Sequence, residues 1–187
     1  MAQTRVLALV GSLRAAAVTR QLAETAVAVS PDEVEVTVYE GLADVPFYNE
    51  DLDGETVPAA AVALRDAAAD SDAFLLVTPE YNGTLSAVLK NAIDWLSRPY
   101  GVGALSGKPV AIVGQSPSKN AGKWALEDAT KVVGIAGGKV VEGGSLTVGE
   151  TFGKFGEAHA KEHAETAEQI AAVVTALADA KAAVVSA

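Results

Sequence analysis

Residues 74–99 read FLLVTPEYNGTLSAVLKNAIDWLSRP, and the fold follows from that stretch. Phe74, Leu75, Leu76 and Val77 form a short apolar run with the length and composition of a buried strand. Thr78-Pro79 is expected to end it, because Pro79 has no N–H for a sheet ladder. Glu80, Tyr81, Asn82 and Gly83 then make a turn, with Asn and Gly suited to positive φ. Thr84 stands where it would cap a helix in which Leu85, Val88, Leu89, Ala92, Ile93 and Leu96 recur at helical spacing. Strand, tight loop and helix in this order place the loop beyond a strand's carboxyl end, where ligands sit in parallel α/β sheets.

The same alternation extends outward from this stretch. Upstream, residues 5–10 read RVLALV and end at Gly11. Gly11-Ser12-Leu13-Arg14 is a loop, and Val18, Leu22, Ala26 and Val29 mark a helix face. A helix start offers unpaired N–H groups and the positive end of the dipole, which favour phosphate. Ser12 adds a hydroxyl and Arg14 a charge-assisted donor. The loop matches neither G-x-G-x-x-G nor G-x-x-x-x-G-K-[ST], and by itself it also reads as an ordinary turn with a helix cap. Val34, Val36 and Val38 alternate as a second strand. Residues 39–58 form a long polar connection, in which Phe47, Tyr48 and Asn49 either border a site or pin the loop to the core. A helix over about residues 59–69 leads back to the central strand.

Downstream, Gly101-Val102-Gly103 follows a helix rather than a strand, so it is not a dinucleotide fingerprint. Residues 110–113 make a fourth strand, residues 114–122 (GQSPSKNAG) a polar loop, and residues 123–133 a helix stopped by Gly137-Gly138. A fifth strand starts over residues 139–141. From Phe155 onward the chain reads as one long helix with an apolar stripe of Ile170, Val173, Val174 and Leu177. His159 and His163, spaced i, i+4 among Glu157, Lys161, Glu162 and Glu165, read as a solvated helical face rather than a metal site. Five strands alternating with helices predict an α/β fold: a doubly wound, five-stranded parallel sheet of order 2-1-3-4-5, with helices on both faces. The order reverses between strands 1 and 3, which brings loops 11–18 and 79–83 to one cleft.

Composition narrows the chemistry. The 187 residues suit one domain, and no apolar run reaches the ~18 residues that would span a bilayer. No secretory pattern precedes the first strand, so a cytoplasmic location is expected. With no cysteine, thiolate metal sites and thiol redox catalysis are excluded, and any redox chemistry needs a bound cofactor. A net charge of −10 without basic clusters makes nucleic acid a poor partner. A phosphate site in such a chain must be built locally from N–H groups, hydroxyls and one well-placed cation.

Pro79-Glu80-Tyr81-Asn82, followed by Leu89-Lys90-Asn91-Ala92-Ile93-Asp94-Trp95 and Ser97-Arg98-Pro99, resembles the signature of the NADPH-dependent FMN reductase family. These are NAD(P)H:quinone, azo-dye and chromate reductases with a flavodoxin-like three-layer sandwich. The resemblance implies FMN as cofactor and a phosphate loop of roughly G-S-x-R-x-x-S-x-N-R. Gly11, Ser12, Arg14 and Arg20 match it, whereas Ala17 and Thr19 replace the usual Ser and Asn. It implies that Ser12, Arg14 and Thr19 meet the phosphate. Pro79, Glu80, Tyr81, Asn82 and Gly83 then pass along the isoalloxazine ring, and loop 114–122 backs it, with Gln115, Ser116 and Ser118 as the candidates. Glu80 also reads as a turn acid bonded to neighbouring backbone.

No catalytic side chain is implied. NADPH or NADH delivers a hydride to flavin N5, and a small quinone-like acceptor follows in a ping-pong cycle. The helix carrying Lys90, Asp94 and Trp95 is implied to wall the site across a two-fold axis, in a homodimer or a dimer of dimers. Core packing is the plain alternative for Trp95. Ser86 and Ala87 stand where the family has Pro and Gly. Two other functions fit the same fold: a flavodoxin-type electron carrier and a flavin-free interaction module.

Overall fold

A computed structural model describes residues 3–185. Its sheet has five parallel strands in the order β2-β1-β3-β4-β5. They are β1 (Thr4–Val10), β2 (Val34–Val38), β3 (Ala73–Pro79), β4 (Pro109–Gln115) and β5 (Lys139–Val148). The helices are α1 (Val18–Val29), α2 (Ala59–Ala69), α3 (Ala87–Leu96), α4 (Lys123–Ile135), α5 (Thr151–Phe155) and α6 (Ala164–Val185).

The central strands are buried on both faces, and their residues alternate between two cores. Val6, Ala8, Val10, Leu75, Val77, Ala111 and Val113 pack with α1 and α6. Leu7, Leu9, Phe74, Leu76 and Ile112 pack with α2, α3 and α4. This is the three-layer sandwich expected from the strand and helix alternation. The apolar stripe Ile170, Val173, Val174 and Leu177 is buried in α6 as expected.

At four places the structure adds local detail, and at two of them it corrects an expectation. First, β3 ends at Thr78-Pro79 as expected. Pro79 is its last residue, level with Gln115, and the Glu80 N–H continues the ladder to the Gln115 carbonyl at 3.0 Å. At a strand end a missing donor costs one bond, which the next residue restores. Second, α3 is capped by Ser86 rather than Thr84: its side chain accepts from the Leu89 N–H at 3.4 Å, and Leu85 precedes the helix. Third, β5 starts at Lys139 as expected and runs ten residues, its pairing with β4 shifting register between Val110 and Ile112 of β4.

Fourth, the C-terminal segment is not one helix. Gly156 at φ 55 ends α5, a 3-10 turn covers residues 160–162, and α6 begins at Ala164. His159 and His163 therefore share no helical face. His159 Nδ1 accepts from the Lys161 N–H at 3.1 Å, so Nε2 carries the proton it shares with Glu24 at 2.9 Å. His163 packs edge-on against Phe155, with centroids 5.7 Å apart.

The long connection 39–58 is tied down by a polar knot. Arg65 of α2 grips Asp53 through two bonds of 2.6 and 2.8 Å and lies 5.2 Å from the Trp95 ring centroid. Trp95 is fully buried, donates its indole N–H to the Pro46 carbonyl at 2.8 Å, and meets Tyr48 edge-on. Trp95 and Tyr48 are thus packing residues, Asn49 caps a short 3-10 turn, and Phe47 and Asn49 stay exposed.

Candidate functional site

Loop 11–17 and turn 80–83 emerge from adjacent strands, β1 and β3, at the point where the strand order reverses. Loop 11–17 touches the segments on either side of that turn. Gly11 donates to the Val77 carbonyl at 2.8 Å, and a methyl on Gly11 would lie 2.5 Å from Ser86 Oγ. Only a glycine lets these two segments approach so closely.

Beside this junction is a cleft of about 220 Å³. Ser12, Arg14 and Thr19 line one side, Pro79, Glu80 and Tyr81 the other, so six of the residues singled out in the sequence meet there. Asn82 and Gly83 lie beyond Tyr81 at the tip of the turn. Their φ values are 52 and 76, and the flanking Tyr81 and Thr84 exchange two backbone bonds of 3.0 and 3.1 Å. That is a two-residue turn of the kind Asn-Gly favours.

Ser116 is not brought into the cleft wall. It is buried, and its hydroxyl bonds Ser118. Gln115 and Pro117 on either side of it line the cleft instead, with Thr151 and the exposed Phe152. The sequence reading had Gln115 among its candidates and missed the other three. β4 outruns its apolar stretch by Gly114 and Gln115, and Thr151 and Phe152 lie on a short helix ahead of Phe155, where the reading began its C-terminal helix.

The donor set suits a phosphate. Ala17 occupies the N-cap of α1 in an extended conformation and offers no side-chain acceptor. The Val18 and Thr19 amides consequently have no partner among the described residues. Twelve residues of helix direct their dipole there. The Arg14 guanidinium pairs with no carboxylate among the described residues. Thr19 Oγ1 accepts from Gln115 Nε2 at 3.0 Å, which leaves the hydroxyl proton to donate.

Arg20, also in the phosphate-loop pattern, is committed elsewhere. It bonds Glu40 through both terminal nitrogens and Glu24 at 2.9 Å, and the Glu40 contact foremost holds its guanidinium above the usual range. Arg20 ties α1 to the end of β2 and leaves Arg14 as the cation of the cleft.

Size does not select this site. Larger hollows of about 480 and 610 Å³ run between α3 and α4, and the Lys90 they share is paired with Asp94 at 2.7 Å.

Comparison with known proteins identifies the family. The family profile of NADPH-dependent FMN reductases matches residues 4–153. The chain belongs to that family. Within it, a quinone reductase of Pseudomonas putida is 45% identical over 112 residues, 60% of each chain. The quinone reductase of Escherichia coli (strain K12) is 40% identical over 109 residues, 58% of this chain and 57% of the relative. The chain thus spans about 60% of the length of the curated relatives it matches. Among solved structures, FerB, a flavoenzyme NAD(P)H:(acceptor) oxidoreductase from Paracoccus denitrificans, superposes with a TM-score of 0.77. It shares 29% identity and covers 95% of this chain and 97% of its own. Among the described residues, no helix is long and apolar enough to cross a membrane.

Proposed function

We propose that this member of the FMN reductase family is an FMN-dependent NAD(P)H oxidoreductase acting on quinone-like acceptors. The observation that carries the reading is the convergence of Ser12, Arg14 and Thr19 with Pro79, Glu80 and Tyr81 on one cleft. Ser12, Arg14, Thr19 and the free amides of Val18 and Thr19 hold the phosphate. Residues 79–83 run along the ring, where amide dipoles near the pyrimidine edge favour the charge that builds on reduction. Gln115 holds Thr19 in place beneath the phosphate. Held by these residues, FMN would supply the redox chemistry, hydride acceptance at N5 from NADPH or NADH and delivery to the acceptor in a ping-pong cycle. The chain supplies binding, orientation and field, with no side chain acting as acid or base. The names of the relatives, quinone reductase and 2-hydroxy-1,4-benzoquinone reductase, support the acceptor class.

The chain pairs with a second copy through the face of α3 and α4. That face shows exposed Tyr100 and Ile135 beside charges of both signs, Lys90, Asp94, Asp128 and Lys131, a self-complementary arrangement for a two-fold axis.

The reading is tested by titrating FMN into flavin-free protein and following quenching of flavin fluorescence. Wild type should bind, and Arg14→Ala should weaken binding about tenfold or more, the loss of a charge-assisted contact. The bound form should then oxidise NADPH with 1,4-benzoquinone. Wild-type protein that leaves FMN fluorescence unchanged overturns the proposal.

A further inference from the structure

The turn at 80–83 is not held by its own strand. A two-residue hairpin with only the Tyr81–Thr84 pair has little stability of its own. Both ends are instead tied to α4. Both carboxylate oxygens of Glu80 accept from Asn120 Nδ2, at 3.0 and 2.8 Å, and Oε2 also accepts from the Trp124 N–H at 3.0 Å. At the other end, Thr84 Oγ1 donates to Asp128 Oδ2 at 2.5 Å. Trp124 and Asp128 stand four residues apart, on one face of the helix. Between them, Gly83 faces the Trp124 ring, where a methyl would lie 3.5 Å from Cε3.

The arrangement also serves the helix. Gly122 at the N-cap of α4 has no side chain to cap with, so Glu80 supplies the missing acceptor from another element. A carboxylate at that end also meets the positive pole of a 13-residue helix.

We propose that Glu80 and Asp128 are positioning residues, and that α4 is the splint that fixes the 81–84 amides for the flavin ring. This rests on the FMN reading given above. Most of the acceptor capacity of Glu80 is committed to Asn120 and Trp124, and its effect on the cofactor passes through the turn. Misplacement of preorganised donors by an ångström is enough to lose their benefit.

The test compares Glu80→Ala, Glu80→Gln and Thr84→Val with wild type. Amide hydrogen exchange at residues 81–84 is read in the flavin-free protein, and FMN affinity is read separately. Glu80→Ala and Thr84→Val should speed exchange at Tyr81 and Thr84 about tenfold, with the β3 and β4 amides unchanged. FMN affinity should fall about tenfold in both. Glu80→Gln, which still accepts from the Trp124 amide, should recover most of each loss. Should Glu80→Ala fail to fold, Thr84→Val alone decides the matter. Unchanged exchange at 81–84 overturns the proposal, as does faster exchange with unaltered FMN affinity. Failure of wild type to bind FMN would remove the functional reading, and the exchange data would then decide whether α4 splints the turn.

Discussion

Substitution of Gly11 by Ala tests the junction on which the site depends. The added methyl would lie 2.5 Å from Ser86 Oγ, 3.1 Å from Pro79 Cδ and 3.3 Å from the Val77 carbonyl oxygen. Ser86 is buried and caps α3, so its hydroxyl cannot swing away without releasing the Leu89 amide. Overpacking of this kind costs about 2 kcal/mol. Ser86→Ala alone should cost about 1 kcal/mol for the lost cap. If the clash is chiefly with Oγ, the double variant should cost about 1–1.5 kcal/mol rather than the additive ~3, a coupling of about 1.5–2 kcal/mol. Urea unfolding of the four proteins measures this cycle. Gly11→Ala should also weaken FMN binding, because loops 11–14 and 79–83 separate, and the second substitution should restore part of it. Additive stabilities, or a Gly11→Ala protein as stable as wild type, would refute the close-approach argument.

Other consequences are as direct. Arg65→Ala removes the double bond pair to Asp53, a bond to the Trp95 carbonyl at 3.1 Å and the stack on the indole. It should cost about 3 kcal/mol, or about 6–12 °C in melting temperature by calorimetry. The Arg65 contact also holds the Asp53 carboxyl below its ordinary pKa. A depressed carboxylate contributes stability above its unfolded value near ~4, and that contribution is lost as pH falls through the folded value. Asp53→Asn should therefore be less stable at neutral pH and should show a shallower fall in urea midpoint from about pH 5 downward. Ile135, 73% exposed on the α3–α4 face, should when changed to Glu turn a dimer into a monomer in sedimentation velocity.

The sheet was legible because each central strand announced itself as a bounded apolar run, and helix spacing identified what lay between. The Asn82-Gly83 turn and the Ser12–Arg14 loop were legible for the same local reason: each residue type does there what its backbone or charge allows. What escaped was non-local. Nothing in the sequence near Thr84 says that its hydroxyl is drawn across to Asp128, leaving the cap to Ser86. Arg20 fits the phosphate pattern as well as Arg14 does, and only the fold reveals that Glu24 and Glu40 hold it. Thr151 and Phe152 reach the cleft on a five-residue helix too short for hydrophobic periodicity to record. Trp95 read as site wall or core with equal force, and the Pro46 carbonyl under its N–H settles it as core.

The central claim is that one cleft holds FMN for reduction by a nicotinamide. The most direct measurement is anaerobic rapid mixing of the FMN-loaded protein with NADPH, and separately with NADH, while following absorbance at the flavin band. The account predicts bleaching with at least one of them, and return of the band when 1,4-benzoquinone is added. A loaded protein whose band stays unchanged with both nucleotides would contradict it.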